Sequence, residues 1–220
     1  MNYFTQALAW IADPENLHGD GGLLARSWEQ IWYTLLAVLV ASVIAIPLGY
    51  LVGHTGRGRG LVVATSGAAR ALPTLGVVTL VGLIFGIGLF APMVALVLLA
   101  VPSVLAGAYA GVEAIDPRTK DAARSMGMSE WQVLTKVEIP LGLPLLIGGL
   151  RSATLQVVAT ATLAAYVGAG GLGRFLFLGL KTQDYPQMLA AALLVMVIAL
   201  ILEGAYELAE RQAAQRLRTH

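Results

Sequence analysis

Apolar residues run along this chain in long blocks, separated by short polar or glycine-rich breaks. Ile31 to Val52 and Pro92 to Val112 contain no charged residue. A block of about 20 apolar residues is the length that carries a helix across a bilayer core. The first predicted span is Ile31 to Val52, closed by the basic turn Gly53-His54-Thr55-Gly56-Arg57-Gly58-Arg59-Gly60. The second runs from Leu61 to about Phe85, interrupted by Arg70 and Pro73, and Gly86 to Pro92 reads as a turn. A third covers Met93 to Val112. The fourth starts near Pro140, reaches Val167, and is broken by Gly168-Ala169-Gly170-Gly171-Leu172-Gly173. The fifth covers Gln187 to Gly204 and carries its helix toward a polar tail. The fold class expected is all-α: a polytopic transmembrane bundle of about five spans. Pro47, Pro73, Pro102 and Pro144 fall inside these blocks, where neighbouring helices satisfy the carbonyls that a proline frees.

The first 30 residues are mixed in character. Met1 to Ile11 spaces its apolar residues at helical intervals, Asp13-Pro14 reads as a stop, and His18 to Gly22 as a turn. Leu23 to Gln30 is expected as a short interfacial helix, with Trp28 and Trp32 at headgroup level; a loosely ordered amphipathic tail is the competing reading. Asp13, Glu15 and Asp20, with no basic start, do not suit a signal peptide, so the first span is expected to serve as its own insertion signal. The chain thus divides into an external amphipathic segment (1–30), a transmembrane domain (31–208) with a long polar loop at 113–140, and a tail (209–220).

Composition agrees with this pattern. Of 220 residues, 57% are apolar and 12% charged, against about 25% charged in soluble domains. Mean hydropathy is +0.75. A net charge of +1 argues against a nucleic-acid partner. The absence of cysteine excludes disulfides, thiol catalysis and cysteine-held clusters. His18, His54 and His220 are scattered outside the spans, so no metal or nucleophile constellation follows from them. The spans are nearly free of ionisable groups, which disfavours an ion-coupled transporter. No glycine-rich phosphate loop ending in Gly-Lys-Ser or Gly-Lys-Thr is present.

Charge asymmetry sets an expected orientation. The loop after span one, the long loop and the tail together carry nine basic residues: Arg57, Arg59, Arg118, Lys120, Arg124, Lys136, Arg211, Arg216 and Arg218. The opposite face carries three, Arg26, Arg174 and Lys181. The positive-inside rule makes the richer face cytoplasmic, with the N-terminus outside and the C-terminus inside.

The long loop predicts two short helices at an angle. Asp116-Pro117 is a helix start, Gly127 a break, and Ser129 with Gln132 a capping box. Ala122, Ala123, Met126, Met128, Trp131 and Leu134 give the element an apolar side. That side either packs on its own bundle or receives a soluble partner.

Asp121-Ala122-Ala123, Gly127, Val137, Ile139 and Pro140 resemble the coupling-loop signature of permease subunits of bacterial ATP-binding-cassette importers. The chain departs from the signature at Asp121, Val137 and Ile139, where the family has Glu, Ile and Leu. The resemblance implies the type I importer permease (MetI-like) fold. It also implies docking of Asp121 to Pro140 in a cleft of an ATPase subunit. Asp121 would orient or cap the short helices, Gly127 would allow the turn, and the apolar residues would fill the cleft. Residues 149–173 and Arg70-Ala71-Leu72-Pro73-Thr74-Leu75 resemble the permeases for glycine betaine, choline and carnitine. The function implied is the translocation path of an osmoprotectant importer; a permease for methionine or another amino acid is the alternative.

The implied partners are a cytoplasmic ATPase dimer, an extracellular or periplasmic substrate-binding protein, and a second copy of this permease or a homologue. The substrate would be small and zwitterionic or cationic. The membrane would be the bacterial cell (inner) membrane. This chain would be non-catalytic and hold no cofactor, with ATP and Mg bound by the ATPase. Path candidates are Thr74, Thr79, Ser103, Thr154, Gln156, Thr160 and Thr162, although membrane-helix hydroxyls often bond only their own backbone or a neighbouring helix. Arg151 is a candidate relay, with snorkelling to headgroups as the competing role. Gly168, Gly170 and Gly171 are candidates for an external gate, with a plain turn as the competing role.

Overall fold

The computed structural model describes residues 2–19, 21–60, 62, 64, 67, 73–86 and 88–218. Arg70, Ala71, Leu72 and His220 lie outside the described residues, as does much of the stretch from Leu61 that opens the second expected span. The chain is all-α. In order, the helices are α1 (Tyr3–Ala12), α2 (Pro14–Leu17), α3 (Leu23–Thr55), α4 (Thr74–Phe85), α5 (Phe90–Glu113), α6 (Pro117–Ser125), α7 (Glu130–Val133), α8 (Ile139–Thr160), α9 (Gly173–Thr182) and α10 (Tyr185–Arg218). A π-helical turn, Leu134–Glu138, joins α7 to α8, and a 3-10 segment, Ala161–Val167, extends α8. Among the described residues four helical runs are long and apolar enough to cross a membrane: Leu23–Thr55, Phe90–Glu113, Glu130–Val167 and Tyr185–Gln215. In the third, the apolar stretch begins at Ile139, beyond the charged turn. The apolar α4 is shorter.

Two differences from the sequence reading stand out. Leu23 to Gln30, expected as a separate interfacial helix, is the start of α3 and continues unbroken into the first span. Gln30 and Thr34 explain why a polar start is tolerated there. Both side chains are fully buried; Thr34 Oγ1 donates to Gln30 O at 2.8 Å and Gln30 Nε2 to Val158 O at 2.7 Å. The helix α9, lying between the last two expected spans, was not anticipated.

The chain forms two compact units. The first comprises 1–37, 72–97 and 154–202. Its core is Leu23, Val158, Leu172 and Ile198, against which Trp10, Ile11, Leu17 and Phe175 pack. Trp10 meets Phe175 edge-on, 5.3 Å between centroids. Asp13 both ends α1 and caps α2, its Oδ1 accepting from Glu15 N at 3.0 Å.

The second unit comprises 38–71, 98–153 and 203–220. Small residues bring its helices close. A Cβ at Gly107 of α5 would lie 2.7 Å from Gly149 Cα of α8, and one at Gly142 of α8 2.8 Å from Gly111 O. Gly49 and Gly53 of α3 face Ala108 and Val112 of α5 in the same way. Pro47, Pro102 and Pro144 lie inside α3, α5 and α8, as expected of membrane helices.

Candidate coupling site

The loop at 113–140 is built by strong local signals. Asp116 Oδ1 accepts from Arg118 N at 2.9 Å and Pro117 opens α6. α6 ends in a left-handed residue, Gly127, at φ +85°. Gly127 N donates to Arg124 O at 2.9 Å and Met128 N to Ala123 O at 3.2 Å, the paired closing bonds of a Schellman motif. Ser129 and Gln132 then form the expected capping box, Ser129 N donating to Gln132 Oε1 at 2.9 Å.

Arg124 ties the two short helices together. Its Nε and Nη2 donate to the two carboxylate oxygens of Glu130 at 2.9 and 3.0 Å, and its Nη1 to Asp121 Oδ1 at 3.1 Å. Hydrogen bonding to Glu130 pushes the Arg124 guanidinium up from its ordinary value, and the same bond holds the Glu130 carboxyl below its own. Asp121 thus orients Arg124, while the caps come from Asp116 and Ser129. Ala123 and Val133 are buried in the bundle, and Met128 and Leu134 are half-buried. Ala122 and Pro140 are exposed, and Met126 and Trp131 are exposed by 73% and 71%. The apolar side therefore splits: Ala123 and Val133 hold the loop to its own unit, while Met126 and Trp131 face outward.

No atom stands within 4 Å of a Cβ at Gly127, so any cost of substitution there is conformational. Gly127→Val should destabilise the loop by about 1–2 kcal/mol, the cost of a left-handed L-residue, and Gly127→Asn by less. Limited proteolysis between α6 and α7 reads this directly; equal cleavage in wild type and Gly127→Val would refute it.

The loop ends on a group of charges that sequence reasoning missed. Glu138, in the π-helical turn, is fully buried. His54 Nδ1, at the end of α3, is hydrogen-bonded to Glu138 Oε2 at 2.6 Å. Lys120 Nζ, on α6, lies 3.0 Å from Glu138 Oε1 and donates to Val112 O of α5 at 3.0 Å. His54 Nε2 is 3.4 Å from Glu130 Oε2. A single acid just before Pro140, where the chain returns to the apolar stretch, was the available signal, since an ionisable group at such a place needs partners. Among the described residues no group of three or more acids, histidines or cysteines is arranged to hold a metal.

The other candidates separate. Arg151 donates to Glu203 and, at 3.4 Å, to Glu210, both on α10. In the first unit, the 168–173 turn is tied to the start of α3. Gly171 N donates to Glu29 Oε2 at 2.7 Å and Leu172 N to Gln30 Oε1 at 3.3 Å, with Arg26 Nη1 donating to Glu29 at 2.7 Å. Gly168 and Gly171 take positive φ, and Gly170 is buried beside Glu29. Thr79, Thr160 and Thr162 donate to Leu75 O, Gln156 O and Ala159 O of their own helices at 2.7, 2.7 and 2.8 Å. Ser103 and Thr154 are buried at 5% and 0%, and Thr74 and Gln156 are half-buried.

Residues 45–215 match the family described as binding-protein-dependent transport system inner membrane component. The chain belongs to this family. It is therefore a transport permease subunit of a multi-pass membrane protein class, not an enzyme. Among its relatives is a carnitine transport permease protein of Listeria monocytogenes, 32% identical over 191 residues, covering 87% of the permease and 86% of that protein. A glycine betaine/carnitine/choline transport system permease protein of Bacillus subtilis is 29% identical over 201 residues, covering 91% and 93%. The permease also has the fold of a chain in an inward-facing methionine ATP-binding-cassette transporter, with a TM-score of 0.75 at 24% identity, covering 87% of the permease and 95% of that chain.

Proposed function

We propose that the permease forms the membrane path of an ATP-driven importer for a small quaternary-ammonium osmoprotectant of the glycine betaine, carnitine and choline class. The carrying observation is the pair of capped short helices that hold Met126 and Trp131 outward while Ala123 and Val133 fix the loop to its own unit. An exposed tryptophan and methionine on a rigid frame suit a partner's apolar cleft. The substrate class is supported by the relatives' names and lengths of match.

In this reading the loop docks on a separate ATPase dimer, which binds ATP and Mg, and an external binding protein delivers the substrate. A second copy of the permease completes the path. The nine-to-three basic asymmetry puts the loop and C-terminus in the cytoplasm and the N-terminus outside. Residues 31–208 form the permease domain, flanked by an outer N-terminal segment and a cytoplasmic tail. A path between copies takes its lining from side chains not buried within one chain. This favours Thr74, Thr79, Gln156, Thr160 and Thr162 over Ser103 and Thr154. Gly168, Gly170 and Gly171 belong to the outer, gating end, and Arg151, paired with α10, to the cytoplasmic end.

The test is reconstitution of the permease in proteoliposomes with a partner ATPase and substrate-binding protein. Glycine betaine, carnitine or choline with its loaded binding protein should stimulate ATP hydrolysis and accumulate inside. Methionine doing so in their place would overturn the substrate class. The chain lacks cysteine, so Ser125→Cys gives a single crosslinking site on α6; failure to crosslink the ATPase in an active complex would overturn the docking.

A further inference from the structure

The geometry points to Glu138 as the positioning residue that locks the coupling loop to the transmembrane helices, acting with His54 and Lys120 as one buried three-way clamp. This rests on the reading of the loop as the ATPase dock. The pattern resembling the family's signature leaves the residue between Val137 and Ile139 unspecified, yet here that residue is the one fully buried acid of the described residues.

Three features carry the inference. First, Glu138 lies on the only described π-helical turn, Leu134–Glu138, in an otherwise continuous helical run from Glu130 to Thr160. Such a turn inserts a residue into the helix and re-aims the side chains around it, and turns of this kind are frequent at functional sites. Second, its two oxygens face two other elements: Oε2 hydrogen-bonds His54 Nδ1 at the end of α3, at 2.6 Å, and Oε1, which takes no hydrogen bond, is ion-paired at 3.0 Å with Lys120 Nζ of α6. Lys120 also reaches Val112 O on α5. Four segments therefore converge on one carboxylate inside one unit. Third, the clamp is shielded: the side chains of His54 and Lys120 are exposed by only 14% and 15%. Buried pairs resist separation far more than exposed ones, because a lone charge is left without solvent. A displacement of α6 and α7 must therefore carry the ends of α3 and α5 along, or break the clamp. The clamp turns a loop that touches the ATPase into one that transmits its movement.

The readout is glycine betaine imported per ATP hydrolysed, measured on complexes matched for ATPase content so that loss of folded protein does not alter it. Glu138→Gln keeps the size of the side chain and removes its charge; the ratio should fall about tenfold, within the usual range of coupling between sites. Lys120→Met should lower it similarly, and Lys120→Arg should retain it. If Glu138→Gln does not assemble, Lys120→Met decides. A wild-type ratio in either assembled variant overturns the clamp. A missing Ser125→Cys crosslink in the otherwise wild-type complex overturns the dock instead, and so separates the two failures.

Discussion

Gly149→Val is expected to abolish accumulation of the folded permease, and Gly148→Val to leave it nearly intact. The two glycines are adjacent on α8, so helix propensity changes little between them. What differs is the neighbour. A Cβ at Gly149 would lie 2.7 Å from Gly107 Cα and 3.0 Å from Ser103 O, while one at Gly148 meets nothing within 4 Å. The obstruction at Gly149 is backbone, which cannot rotate away as a side-chain tip does. Overpacking of a tight core costs about 1–3 kcal/mol, the range expected for Gly149→Ala. Valine adds two methyl groups to the same gap and should exceed it. Gly107→Val, on the opposing helix, should match Gly149→Val. Yield of monodisperse protein and resistance to denaturing detergent measure the effect. Equal stability of the Gly148 and Gly149 variants would refute the close approach of α5 and α8.

Trp131→Ala should leave the permease as stable as before and weaken its hold on the ATPase by roughly 30-fold or more. Trp131 is 71% exposed and its ring takes no described partner within the chain; Thr135 Oγ1 bonds only the Trp131 backbone carbonyl, at 2.7 Å. Truncation therefore removes little from the fold. In a partner's cleft it would remove a large aromatic anchor, and such anchors are worth about 2 kcal/mol or more. Met126→Ala should act in the same direction with a smaller effect. Co-purification and titration of the ATPase against the solubilised permease measure this. Unchanged affinity in Trp131→Ala would count against docking through this face.

The two expectations show different relations between sequence and structure. The loop was legible because its signals are local. Asp116-Pro117, Gly127 and the Ser129–Gln132 box act over three or four residues, and the caps and the left-handed turn stand where they indicate. The clamp was not legible. His54 reads as part of a basic turn, Lys120 as one of nine basic residues, and Glu138 as a residue between the apolar Val137 and Ile139; residues 84 apart in the chain meet only in the fold. The start of α3 was misplaced for a related reason. Arg26, Glu29 and Gln30 look like the edge of a headgroup helix, but Glu29 and Gln30 satisfy the backbone of a distant glycine turn and of Val158, and Arg26 holds the Glu29 carboxylate.

The sequence by itself determined that this chain crosses a membrane several times, where four of the long apolar helices lie, and that a two-helix loop interrupts them. Those properties follow from block length, hydropathy and local capping, each a sum over neighbours in the chain. Tertiary structure alone decided which glycines lie against another helix's backbone, which loop side chains face outward, and which ionisable groups are buried together. Each of these depends on which atoms another helix brings within a few ångströms, and helix spacing is set by all the contacts at once.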